Sequence, residues 1–184
     1  MMNRAIFFLI LCCSIPNLAV AHDSNLATLQ IIHLDDGKWV FEVKTPLYGL
    51  DESVRQYLEE KTGEPVTLVA GSREYKEGLV DYIKAGFDMT ASGSDTVDSE
   101  GDDASTHPSL GTGRIKLGDH MSVLIFEIKD MPRVVEDLAL SFRYMSNNDA
   151  QHNIVRLIDG DRSQRYILSS DNGFKAADSG FFLR

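Results

Sequence analysis

The stretch LALSFRYMSNNDAQHNIVRLIDGDRSQRYIL, Leu138 to Leu168, decides the fold. Leu138, Leu140, Phe142 and Tyr144 alternate with Ala139, Ser141, Arg143 and Met145, the period of a strand with one buried face. Ile154, Val155, Leu157 and Ile158 make a second, β-branched strand. Asp159-Gly160-Asp161-Arg162 reads as a hairpin turn, because Asp-Gly accepts the positive φ angles of a tight connection. Tyr166, Ile167 and Leu168 form the return strand. Between the first two strands lies a polar segment, Asn147-Asn148-Asp149-Ala150-Gln151-His152-Asn153.

Upstream, LATLQIIH (Leu26 to His33) is a strand candidate, Asp35-Asp36-Gly37 a turn, and Lys38 to Thr45 its hairpin partner. Trp39, Phe41 and Val43 share one side of that partner, and Pro46, with no N–H for the ladder, ends it. The period then changes. Leu50, Val54, Tyr57 and Leu58 recur at helical spacing, Asp51 and Glu52 suit a helix start, and Gly63-Glu64-Pro65 stops it. Pro65 to Ala70 reads as a short strand. Ser72 can cap a second helix whose apolar stripe is Tyr75, Leu79, Tyr82 and Ile83, with Gly86 at its end.

Phe87 to Ala91 returns to extended structure. The segment 92–113 holds Asp95, Asp98, Glu100, Asp102 and Asp103 with little apolar content, and it reads as a mobile acidic loop. Its carboxylates suit Ca²⁺, but the register of an EF-hand loop is absent, so a solvated loop is the better reading. Gly113 to Leu117 and Met121 to Lys129 are strands, and Gly173 to Arg184 reads as a tail ending in Phe181-Phe182-Leu183.

This order predicts a mainly β protein, an antiparallel β-sandwich with a two-helix insertion over residues 50–86. The alternative is an α+β fold with both helices on one face of an antiparallel sheet. Trp39, Phe41, Leu140, Phe142, Ile154, Leu157 and Ile167 are expected to be buried together.

The first residues give an address. Arg4, the apolar run Ala5 to Ile15 and the small-residue site Ala19-Val20-Ala21 have the layout of a secretory signal peptide over 1–21. The apolar run is about half the ~20 residues a spanning helix needs. A periplasmic or secreted protein is expected, forming a single domain over 22–184 with no membrane-spanning segment after cleavage. Cys12 and Cys13 leave with the leader, so no disulfide supports the remainder. The net charge of −10 across 184 residues becomes −11 when Arg4 is removed, and so acidic a chain argues against nucleic acid.

Three stretches carry a resemblance. Ala21-His22 leading into a strand, a turn and WVFEVKTPL resembles the opening of the exported N-terminal domain of HupE/UreJ-like membrane proteins. The block Asp149 to Leu157 is similar to their D-x-Q-H stretch before a final hairpin, and Phe181-Phe182-Leu183-Arg184 to the run introducing their first membrane helix. A related exported β-domain family of unknown function shares the Gln-x-Asn-Ile-Val pattern. The resemblance implies an exported accessory or binding module with a membrane-protein partner. Metal transport in that family is attributed to membrane helices that this chain does not contain, so transport is not implied.

Candidate chemistry centres on histidine. With cleavage after Ala21, the α-amine and imidazole of His22 can chelate one Cu(II) or Ni(II), both of which favour nitrogen ligands. His152 in the polar inter-strand segment is the first choice to complete the site, and His120 the second. A frayed N-terminus with no metal is the usual outcome and the stronger reading, so a Cu- or Ni-binding protein is the alternative to the accessory module. Asp149, Gln151, His152 and Asn153 are better read as a structural loop, in which Asn and Asp side chains bond their own backbone, than as ligands. There is no G-x-S-x-G, P-loop, H-E-x-x-H or cysteine nucleophile in the mature chain, so an enzyme is not expected.

Overall fold

A computed structural model describes residues 26–46, 50–94, 105–118, 121–143 and 152–183. The elements run β1 (Leu26–His33), β2 (Trp39–Thr45), α1 (Leu50–Thr62), α2 (Arg73–Gly86), β3 (Phe87–Ser94), β4 (Ser109–Lys116) and β5 (Ser122–Lys129). They continue with β6 (Val134–Phe142), β7 (His152–Asp159), β8 (Arg162–Leu168) and β9 (Lys175–Ser179). Six strands form one sheet in the order β4-β5-β2-β1-β7-β8, and three form a second, β3-β6-β9. Every strand pair is antiparallel except β1 with β7, which is parallel. The expected β-sandwich with two inserted helices is the fold found.

The β1–β2 hairpin shows how local chemistry sets the register. Gly37 takes φ 79° in the turn, and the N–H of Leu34 and the carbonyl of Lys38 close it at 2.9 Å. Leu29, Ile31, Trp39, Phe41 and Val43 then all face inward and are buried. Phe41 joins the two sheets: its ring lies 5.4 Å from that of Phe142 on β6 and 5.0 Å from that of Phe87 on β3. Burying each such side chain is worth about 1.5–3 kcal/mol.

The helices fold for the reasons their sequence offers. The Ser72 hydroxyl accepts from Tyr75 N at 3.1 Å, satisfying one orphan donor of the first turn of α2. Tyr75, Leu79 and Ile83 enter the same core as the sheets, joined by Leu50 and Val54 of α1. The Tyr75 hydroxyl donates to Asp51 Oδ1 at 2.5 Å, linking the two helix starts. Gly78, an unfavourable residue in mid-helix, marks a close approach: a Cβ there would lie 2.7 Å from Leu58 Cδ1 of α1.

Several sequence expectations need correction. Pro65 to Ala70 forms no strand. Val66 N–H donates to Glu59 Oε1 at 3.2 Å, which ties this segment back to α1 and not to a sheet. The acidic loop is shorter than expected: β3 runs on to Ser94, Thr106 bridges to Ala91, and β4 starts at Ser109. Residues 95–104 lie outside the described residues. Part of the tail is a strand, β9, because β6 offers it a ladder from Asp137 to Ser141.

The stretch that decides the fold is also divided between sheets, β6 in the smaller and β7 and β8 in the larger. Within β7 the inward set is Asn153, Val155, Leu157 and Asp159, which leaves Ile154 only half-buried. In β8 the inward residue is Leu168, so Ile167 is 54% exposed and not in the core. Among the described residues no helix is long and apolar enough to cross a membrane.

Candidate functional site

The parallel pairing of β1 with β7 creates two places where functional side chains meet. Registers run from Leu26 opposite His152 at the starting end to His33 opposite Asp159 at the far end.

At the starting end, His152 is the exposed first residue of β7 and not part of a loop, because the ladder with β1 reaches back to it. Asn153, expected in the same loop, is fully buried in the strand. Asp149, Gln151, His22 and His120 lie outside the described residues. His22 precedes Leu26 by four residues, a span of at most about 14 Å when extended. Leu26 is itself level with His152.

At the far end the sequence reading missed a built polar cluster. His33 Nδ1 lies 3.0 Å from Asp159 Oδ1, between residues 126 apart in the chain. Asp159 is 3% exposed, and its second oxygen accepts from the Arg162 guanidinium. Trp39 stacks on the His33 ring, with centroids 4.5 Å apart and planes 19° from parallel. Phe182 meets Trp39 edge-on at 4.6 Å, and Arg162 sits 5.3 Å from the Phe181 centroid. An ionised carboxylate only accepts, so Asp159 takes the Nδ1–H of the imidazole and leaves Nε2 as the ring nitrogen not engaged by it.

That arrangement fits a single metal-ligating or proton-accepting imidazole. It is not a complete metal centre: among the described residues, no three His, Cys, Asp or Glu side chains gather to hold an ion. No local signal marks this cluster in the sequence, since only the parallel pairing brings His33 to Asp159.

A cleft of about 240 Å³ lies between the helices and the end of β6, with Tyr57, Tyr82, Glu60 and Arg143 among its walls. It falls below the ~300–1,000 Å³ of usual small-molecule pockets, whereas a more open depression of about 540 Å³ lies beside Arg73, Val80 and Ile115 of α2 and β4. No family model and no curated protein matches the chain.

Proposed function

We propose that this chain is an exported, non-enzymatic binding module that takes one Cu(II) or Ni(II) ion at the common start of β1 and β7. The observation that carries the reading is the register that sets Leu26 opposite His152. It brings the exposed imidazole of His152 level with the strand that follows His22 by four residues. After cleavage at Ala21, the α-amine and Nδ1 of His22 would close a six-membered chelate ring, and His152 would add a third nitrogen. Such nitrogen donor sets favour Cu(II) and Ni(II). His120 is the substitute third ligand.

The accessory role implied by the resemblance to HupE/UreJ-like exported domains is the second reading. The Asp149 to Leu157 block and the WVFEVKTPL strand support it.

Titration of the protein beginning at His22 with Cu(II) and Ni(II), followed by spectroscopy of the bound ion, tests the metal reading. One residue added before His22 and, separately, His152→Ala should each weaken binding by about tenfold or more. Affinity untouched by the added residue would remove the amine from the site and overturn the reading.

A further inference from the structure

The outward face of the six-stranded sheet is basic, in a chain that is acidic. One row across its strands reads Arg114, Ile125, Glu42, Gln30, Arg156 and Arg165. Outward strand positions carry six basic side chains: Lys44, Arg114, Lys116, Lys129, Arg156 and Arg165. Against them stand two acidic ones, Glu42 and Glu127. The face is therefore +4, while the other described residues, with 10 basic and 18 acidic side chains, sum to −8.

Two features separate this face from an ordinary solvated surface. Arg156 stands directly opposite Arg165 on the neighbouring strand, and both are exposed. Like charges in that relation destabilise a sheet, so the pair weakens the fold unless an anion meets it. Aliphatic side chains are also interleaved with the charges. Ile32, Val40, Ile154 and Ile158 are half-buried, while Ile125 and Ile167 are 40% and 54% exposed.

We infer that this face docks on an anionic phospholipid surface. Six strands at ~4.8 Å spacing present a front about 24 Å wide, suited to a planar partner. Lysine and arginine reach headgroup phosphates while their stems, with the isoleucines, occupy the boundary below. The contrast between this basic face and the acidic remainder of the described residues orients the approach.

Other occupants fit less well. A second copy would set +4 against +4. Single-stranded nucleic acid is held by aromatic stacking, and the described outward positions hold no Phe, Tyr or Trp. The inference stands apart from the metal reading, and its test is run with a chelator present so that the two fail separately.

The test is co-sedimentation of the purified exported protein with vesicles of phosphatidylglycerol and phosphatidylcholine. Binding should occur, should fall with added salt, and should be absent on phosphatidylcholine alone. Each basic residue near such a surface is worth about fivefold in partitioning. Arg156→Glu with Arg165→Glu should therefore reduce partitioning at least about tenfold. Arg156→Ser with Arg165→Ser replaces that variant if the reversal does not fold. Lys76→Glu, on the exposed side of α2, should change nothing. The inference is overturned by equal partitioning onto neutral vesicles or by indifference to the arginine pair. It is also overturned if the pair instead governs binding to a single-stranded oligonucleotide, to an acidic peptide, or to further copies of the chain.

Discussion

His33 Nδ1 and Asp159 Oδ1 lie 3.0 Å apart at the far end of the one parallel strand pair, with the carboxylate almost wholly shielded from water. Asp159 also holds Arg162. Removing the acid strands two donors, whereas removing His33 leaves Asp159 one strong partner. Asp159→Ala should therefore cost about 2–3 kcal/mol and His33→Ala about 1 kcal/mol. Urea unfolding with a double-mutant cycle should give a coupling above about 0.5 kcal/mol. Asp159→Ala within 0.5 kcal/mol of the parent would show that the cluster contributes nothing to stability.

Ile167 and Leu168 are adjacent but face opposite ways, one 54% exposed and the other fully buried. Leu168→Ala should lower stability by about 2–4 kcal/mol, through lost burial and the cavity left behind. Ile167→Ser should stay within about 0.5 kcal/mol. Thermal unfolding of the two variants checks the register of β8, and a reversed order would mean that the strand is slipped by one residue.

Gly93 sits at the irregularity between β3 and β6 with φ 152°, where a Cβ would fall 1.8 Å from the carbonyl oxygen of Val134. A backbone atom cannot swing aside as a side chain can. Gly93→Ala should thus cost about 3 kcal/mol or more. Gly37→Ala, at φ 79° in open space, should cost only about 1 kcal/mol for the left-handed backbone. Denaturant midpoints of the two variants give the comparison, and equal losses would refute the steric account.

Burial pushes the phenols of Tyr75 and Tyr166 up, and donation to Asp51 and Asp178 adds to the rise, taking Tyr166 to about 12. An unfolded tyrosine titrates near 10. Because the folded value is the higher, the contribution is complete below about pH 10 and is lost as pH climbs toward about 12. Tyr166→Phe should lose less stability than the parent across that window. Parallel stability curves for parent and variant between pH 10 and 12 would remove Tyr166 as the cause.

Much of the architecture was legible because its signals are local. Pro46, Ser72, Gly86 and Asp159-Gly160 punctuate the chain where the elements begin and end. What was illegible depends on partners distant in sequence. Lys175-Ala176-Ala177-Asp178-Ser179 has no strand-like composition and becomes β9 only because β6 is beside it. Ile154, Val155, Leu157 and Ile158 place two aliphatics on each face, so periodicity alone could not choose the inward pair. His152 was expected in a loop since nothing nearby announces the ladder with β1. His33 and Asp159 carry no shared motif, and their meeting follows from a pairing between the first strand and the seventh.

That pairing also governs when the molecule can fold. β1 lies inside the larger sheet, yet one of its neighbours arrives only at residue 152. Until then its second edge has no hydrogen-bonding mate, and closing so large a loop is entropically slow. The growing polypeptide therefore cannot complete its main sheet before β7 and β8, through Leu168, have emerged. Truncation anywhere before β7 would leave β1 as an open sheet edge, exposed to pairing with other chains.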